Sequence, residues 1–192
     1  MVGTIKRDTN LAPYIHTVIH DAGITVGIDP SLQSNDYVAI KVDDYYNSQH
    51  LSTTPKSVDF VVVVDCKCNW YALYLLELKN VNGPEKLNIS DIQEKFTNTF
   101  NFFLKDTFAY IFENDCYKYK AVNLFLVSDA YHAVGKFKNH AEYLAFQKYR
   151  DKVNRKDSLK VDMHLSDKLY RFRGKIVRIN YDIPPNPLIR RQ

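Results

Sequence analysis

The chain has 192 residues, of which 45% are hydrophobic and 25% charged, and its formal net charge is +4 at pH 7. A chain of this length can bury the core of one domain. The composition is that of an ordinary folded protein, and no run of about 18 apolar residues is present that could span a bilayer. We therefore expect neither a disordered chain nor a membrane protein.

The N-terminal segment and the cysteines indicate the compartment. The first ten residues, MVGTIKRDTN, lack the apolar stretch of a secretory signal. The cysteines Cys66, Cys68 and Cys116 are too few for a disulfide framework or for a four-cysteine zinc site. We expect reduced thiols and a cytoplasmic protein.

The charges are distributed unevenly along the chain. Residues 1–50 contain three Lys and Arg against six Asp, a net charge of −3, whereas residues 145–192 contain thirteen basic residues against five acidic ones, a net charge of +8. A basic segment favours a nucleic-acid backbone as the partner, and an anionic membrane less strongly. A solvated basic face explains the same charge equally well.

The first part of the chain is predicted to contain one helix and two short strands. Apolar residues recur at spacings of three and four from Asn10 to about Ala22, which predicts a helix that ends at Gly23. Residues 24–28 and 37–42 are predicted strands separated by a turn, and we expect 37–42 to lie at the edge of a sheet.

The strongest pattern is a hairpin followed by a helix. Val58–Cys66 and Trp70–Val81 are predicted strands, and the run of four valines in the first predicts burial on both of its faces. Residues 90–112 have the periodicity of an amphipathic helix, for which Ser90 and Gln93 are a candidate capping box.

The last part of the chain is predicted to add a strand, a basic helix and a second hairpin. Ala121–Val127 is the strand and 139–153 the helix, while 159–163 and 169–180 suggest strands, with a turn at Arg173 and Gly174. The chain is thus predicted to be a single α/β domain over residues 1–192, with a core of about 10–127 and a basic appendage over 128–192.

The register of the first hairpin decides which polar side chains meet. A three-residue loop at 67–69 places Asp59 opposite Glu77, whereas a loop of two or four residues places them on opposite faces. Side chains alternate along a strand, so Lys79 shares the face of Glu77. With the three-residue loop, all three side chains converge.

Two carboxylates and an ammonium beside a valine-rich strand are costly to bury unless the charges are neutralised. Asp59, Glu77 and the backbone carbonyl of Leu78 offer the oxygen ligands that Mg²⁺ prefers. Lys79 beside such an ion could orient or deprotonate a water and stabilise a developing oxyanion, as phosphodiester hydrolysis requires. A structural salt bridge of Glu77 with Lys79 is the alternative.

Asp59, the hairpin, and the triplet Glu77, Leu78 and Lys79 resemble the D…(D/E)xK signature of the PD-(D/E)xK nuclease superfamily, which includes most type II restriction endonucleases. The predicted order of elements over 10–127 matches the αβββαβ core of that superfamily, a central mixed sheet flanked by helices. The resemblance implies Mg²⁺-dependent cleavage of double-stranded DNA. It implies that Asp59 and Glu77 bind the metal and that Lys79 activates the water.

The chain departs from the family pattern at two places. The residue directly before Asp59 is Val58 and not a proline, and the only candidate for the acid that many members carry on the first helix is Asp21. Gln93 stands where some members have a glutamine on the helix after the motif. We treat Asp21 and Gln93 as accessory candidates.

Arg171, Arg173, Lys175 and Arg178 alternate with aromatic and aliphatic residues, which favours contacts with DNA phosphates. An edge strand protected by charges explains the same pattern. Sequence-specific cleavage would also require base recognition, through a homodimer or a larger recognition subunit. A repair, recombination or RNA-cleaving nuclease of the same fold, and a non-catalytic nucleic-acid-binding or assembly subunit, stay open.

Overall fold

A computed structural model of the protein describes residues 1–130 and 164–192, together with Glu142 and Ala145. The basic helix predicted at 139–153 and the strand at 159–163 lie outside the described residues.

The helices within residues 1–130 are short. They are α1 (Val2–Arg7), α2 (Val42–Ser48), α3 (Ile89–Asn98) and α4 (Ala109–Phe112), with a π-helical segment, Thr99–Thr107, between α3 and α4 and 3₁₀ turns at Ala12–Tyr14 and Pro84–Lys86. The strands are β1 (Ile15–His16), β2 (Ile19–Asp21), β3 (Ile24–Val26), β4 (Tyr37–Lys41), β5 (Phe60–Asp65), β6 (Trp70–Lys79), β7 (Lys118–Ser128), β8 (Tyr170–Phe172), β9 (Lys175–Val177) and β10 (Ile179–Asp182).

A mixed six-stranded sheet forms the centre of this α/β protein, in the order β1-β4-β5-β6-β7-β10. The strands from β1 to β6 pair antiparallel, and β6, β7 and β10 pair in parallel. β10 belongs to the segment expected to be an appendage, yet it completes the sheet beside β7. The β2–β3 and β8–β9 hairpins form separate two-stranded sheets.

The valine run of β5 is buried on both faces, as predicted. Val61 and Val63 pack in a core with α1, α2, α3 and the π-helical segment. Phe60 and Val62 pack in a second core with the β2–β3 hairpin and Ile189 near the C-terminus. One face of the central sheet is therefore helical, and the other is covered by a hairpin and the terminal segment.

The helix predicted from Asn10 to Ala22 is wrong. This stretch forms a 3₁₀ turn, the short strand β1, and β2, which turns into β3 at Ala22 and Gly23, both with positive φ. Pro13 removes a backbone donor, and the β-branched residues after it favour extended structure. The helical spacing included Val18, which is 56% exposed and packs in neither core.

Two finer expectations are also wrong. β4 is not an edge strand, because it pairs with β1 on one side and β5 on the other. The N-cap of α3 is Asn88, whose side chain accepts a hydrogen bond of 3.1 Å from the Asp91 N–H, so Ser90 and Gln93 form no capping box. The helical periodicity over 90–112 is real but is divided among α3, the π-helical segment and α4.

Both predicted hairpins are confirmed. The loop between β5 and β6 is Lys67–Asn69, and all three of its residues have positive φ, from 54° to 73°. The β8–β9 turn is formed by Arg173 and Gly174, at φ of 47° and 75°. Asparagine and glycine tolerate this conformation best, which explains their place in the two turns.

Candidate active site

The predicted register of the β5–β6 hairpin is confirmed. Phe60 pairs with Leu76, and the Cys66 N–H donates to the Trp70 carbonyl at 2.8 Å across the three-residue loop. Continuing this register by one residue beyond the start of β5 places Asp59 opposite Glu77. They occupy the same alternate positions as Val61 and Leu75, so their side chains lie on the helical face of the sheet.

Asp59 and Glu77 are deeply buried. Asp59 is 5% exposed and Glu77 is 0% exposed. Lys79, two residues further along β6, lies where the strand ends, and its side chain is 33% exposed. The hairpin thus carries two buried acids and one lysine that reaches solvent.

A second lysine completes the cluster. Lys95, on α3, lies with its Nζ 2.7 Å from Glu77 Oε1 and 3.9 Å from Asp59 Oδ1. The Nζ of Lys79 lies 2.9 Å from the same Glu77 oxygen. The other oxygen, Glu77 Oε2, is buried and has no hydrogen-bond partner among the residues that the structure describes. One oxygen of Glu77 accepts a hydrogen bond from Lys95 and forms an ion pair with Lys79, while the other remains available.

Asp59 is held by the backbone of the facing strand. Its Oδ2 accepts a hydrogen bond of 2.6 Å from the Leu78 N–H. The pKa of Asp59 is raised to about 8, first by burial and then by the negative charge of Glu77, which Lys95 and this hydrogen bond offset only in part. Asp59 therefore holds a proton near neutral pH when no cation is bound.

Lys95 stays charged although it is partly buried. Burial alone would lower its pKa, but the charge of Glu77 and the hydrogen bond to it outweigh that effect, so the pKa of Lys95 is raised. Sequence reasoning missed this residue. The sequence pattern that could have identified it is helical spacing. Lys95 follows Ile92 by three positions and precedes Thr99 by four, so it lies on the buried stripe of the helix.

Thr99 ties the helix to the strand that carries Asp59. Its Oγ1 donates to the Lys95 carbonyl at 2.9 Å and accepts from the Val58 N–H at 3.0 Å. The side chain of Thr99 is fully buried. This bridge fixes the backbone of Lys95 relative to the start of β5.

The accessory candidates do not join the cluster. Asp21, at the end of β2, forms an ion pair of 2.9 Å with Lys41, which also lies near Asp43 and Asp44. Gln93 points away, because its Nε2 donates to the His164 carbonyl at 2.8 Å.

Asp43 is a further acid that influences the cluster. Burial raises the pKa of Asp43, and its negative charge contributes to the raised pKa of Asp59. It is the second residue of α2, and the first, Val42, donates its N–H to the Asp59 carbonyl at 2.9 Å.

The donor set fits a small site for a hard divalent cation. Asp59 and Glu77 supply two carboxylates, and Glu77 Oε2 is an unsatisfied acceptor. Within residues 1–130 and 164–192, no group of three or more His, Cys, Asp or Glu side chains is arranged to hold a metal ion. A cation at this place would depend on two carboxylates, a backbone carbonyl such as that of Leu78, and water.

The basic residues near the C-terminus have different surroundings. Arg171 and Arg178 are exposed and Lys175 is half-buried. Arg173 instead lies with its Nη1 2.8 Å from Asp115 Oδ1 and donates to the Glu113 carbonyl at 3.0 Å. Arg173 is thus engaged in holding the β8–β9 turn against the segment after α4.

An open groove of about 650 Å³ runs along this hairpin. Lys105 of the π-helical segment lines it together with Arg171, Arg173 and Lys175, and Glu113 is the acidic side chain of the lining. The lining carries a positive charge, which suits an anionic partner.

No protein-family model, curated protein or solved structure matches this chain significantly. Among the helices of the described segments, none is long and apolar enough to cross a membrane. The three cysteines are all free, and Cys68 and Cys116 are exposed.

Proposed function

We propose that this protein is a Mg²⁺-dependent DNA endonuclease of the PD-(D/E)xK type, most similar to a type II restriction endonuclease or its catalytic subunit. One observation carries the proposal: Asp59, Glu77 and Lys79 lie together on one face of the central hairpin, with both acids buried. The order α1, β4, β5, β6, α3, β7 supports an αβββαβ core in which α1 takes the place of the helix predicted at 10–22.

The energetics support a functional rather than a purely structural pair of acids. Burying a second carboxylate next to Glu77 costs free energy, and the raised pKa of Asp59 reflects that cost. An apolar residue at position 59 would pack beside the valines without this penalty. Strongly shifted acids in such clusters are typical of catalytic or ligand-binding sites.

Each residue of the cluster has a task in hydrolysis. Asp59, Glu77 and the Leu78 carbonyl would hold Mg²⁺, which supplies Lewis-acid polarisation of the scissile phosphate. Lys79 is partly exposed, so its ammonium can contact both a water and the phosphate. Its contact with Glu77 fixes the ammonium, which would orient the attacking water and stabilise negative charge as it develops.

Recognition of DNA would fall to the basic surface and to a partner. The groove with Lys105, Arg171 and Lys175 offers positive charge for phosphates. Base recognition would require a homodimer or a larger recognition subunit. Repair, recombination or RNA cleavage by the same fold would use the same acids and lysine on another substrate.

A non-catalytic role is the second candidate, and one observation favours it. Glu77 Oε1 is already neutralised by Lys79 and Lys95, so the cluster is stable without any added cation. A nucleic-acid-binding or assembly subunit would keep such a network as a structural feature of its core.

The test is cleavage of supercoiled plasmid DNA, and in parallel of single-stranded RNA, by the purified chain with Mg²⁺, with Mn²⁺ and with EDTA. We expect divalent-cation-dependent cleavage by the parent and none by Asp59→Asn or Glu77→Gln. Glu94→Gln, an exposed acid on the same helix as Lys95, is the matched control and should cleave like the parent. If the parent cleaves neither nucleic acid and binds no Mn²⁺ by calorimetry, the nuclease proposal is wrong and the non-catalytic role is favoured.

A further inference from the structure

The Lys95 ammonium lies where a cation bound to both acids would have to come close. Its Nζ is 2.7 Å from Glu77 and 3.9 Å from Asp59, and its side chain is only 17% exposed. It enters from α3, opposite the hairpin, whereas Lys79 approaches Glu77 along β6. Lys95 is the lysine of the cluster that contacts both acids.

We propose that Lys95 is an internal cation that occupies the Asp59–Glu77 pair in the metal-free protein and competes with the divalent cation for it. The inference rests on the proposed metal site and adds its regulation. An ammonium a few ångströms from a divalent cation repels it strongly in a partly buried site. Metal binding therefore requires Lys95 to withdraw from Glu77, and the site is weak for metal until it does.

The surroundings of Lys95 allow the side chain to move while the backbone stays in place. Thr99 Oγ1 binds the Lys95 carbonyl and the Val58 N–H, which fixes the helix against β5. The lysine stem is long and flexible, and 17% of the side chain is exposed to solvent. Withdrawal needs a rotamer change and no movement of α3.

The test compares Lys95→Met and Lys95→Gln, which remove the charge, with Lys95→Arg, which keeps it. Lys56→Met is the matched control, because Lys56 forms surface ion pairs with Asp91 and Glu94 on the same helix. Mn²⁺ binding to the EDTA-stripped full chain is measured by calorimetry. We expect both neutral variants to bind Mn²⁺ at least about tenfold more tightly than the parent. Lys95→Arg and Lys56→Met should bind like the parent.

Thermal unfolding supplies a second measurement. Without metal, the neutral variants should unfold at a lower temperature than the parent, because the buried carboxylate of Glu77 loses its contact with Lys95. Mn²⁺ should restore the lost stability. If these variants show no cooperative unfolding without metal, recovery of the transition on addition of Mn²⁺ supports the proposal. Failure to recover it overturns the proposal.

The outcomes separate this inference from the nuclease assignment. Equal Mn²⁺ affinity in the parent and both neutral variants overturns the role of Lys95 even if the parent cleaves DNA. Tighter Mn²⁺ binding by the neutral variants supports it even if no variant cleaves, and only the nuclease assignment then fails. Absence of Mn²⁺ binding in the parent and the neutral variants overturns both.

Discussion

The carboxylate of Glu77, on β6, is held by the ammonium of Lys95, on α3, at 2.7 Å. Asp59, directly across the hairpin, is held instead by a backbone N–H and lies 3.9 Å from the same ammonium. The two acids of the site are thus stabilised in different ways. Substitutions that remove their charge should have different consequences for folding.

Glu77→Gln should destabilise the metal-free protein. It leaves the partly buried Lys95 without its principal ionic partner, and removing one member of a buried pair costs about 3 kcal/mol or more. Urea unfolding in EDTA measures the effect. Glu94→Gln removes a surface partner of Lys56 and should change the free energy of unfolding by less than about 1 kcal/mol. Equal losses in the two variants would mean that the Glu77 network contributes little to stability.

The raised pKa of Asp59 predicts a pH dependence of stability. The folded protein holds this proton up to about pH 8, whereas the unfolded acid releases it near its ordinary value of 3.8. The contribution of Asp59 to the free energy of unfolding is therefore fully present below pH 3.8, and it is lost as the pH rises through about 8. Stability of the metal-free protein should fall across this window.

Asp59→Asn isolates this effect, because an amide imitates the protonated acid. In EDTA, the variant should match the parent at acidic pH and exceed it in stability at the alkaline end of the window. Urea unfolding at both ends of the pH range measures the difference between the two proteins. A difference that does not change with pH would show that Asp59 is ionised in the folded protein.

Lys79→Met should separate catalysis from binding. If Lys79 orients the water and stabilises charge in the transition state, its loss should lower kcat by about 10²-fold or more, with a much smaller change in DNA affinity. Lys86→Met, at an exposed lysine of the 3₁₀ turn after β6, is the control and should cleave like the parent. If the Lys79→Met protein keeps full activity, a group other than Lys79 activates the water.

The hairpin and its register could be predicted because the residues that determine them are close together in the sequence. The valine run of β5 and the turn residues between β5 and β6 are sufficient, and a three-residue loop fixes which side chains face each other. The N-terminal region could not be predicted in this way. Its apolar spacing fits a helix, but Pro13 and the β-branched residues favour short strands that are stabilised by pairing with distant partners such as β4.

Lys95 illustrates the limit of sequence reasoning for the site. The chain separates it from Glu77 by 18 residues, and only the packing of α3 on the hairpin brings the two together. A lysine on the apolar stripe of a helix usually extends to solvent along the stripe's margin. Here the buried acids on the opposing strands hold its ammonium inside, and those acids are themselves recognised only once the register is known.

The basic hairpin near the C-terminus gives the last prediction. Arg173 is paired with Asp115 and the Glu113 carbonyl, whereas Arg171 is exposed and Lys175 lines the groove. Arg171 and Lys175 should therefore contact DNA phosphates, and Arg173 should act on the fold. A substitution that removes one phosphate contact reduces the slope of log affinity against log salt concentration by roughly 0.9.

Fluorescence anisotropy with duplexes of unrelated sequence, over a range of salt concentrations, measures these slopes. Arg171→Ala combined with Lys175→Ala should reduce the slope by about 1.8, equally on every sequence. Arg173→Ala should leave the slope unchanged and lower the unfolding temperature, because the β8–β9 turn is then no longer tied to the segment after α4. Lys86→Ala is the control for a lysine outside the groove. If Arg173→Ala instead flattens the slope as the removal of a phosphate contact would, its ion pair with Asp115 opens on DNA binding and the whole turn belongs to the interface.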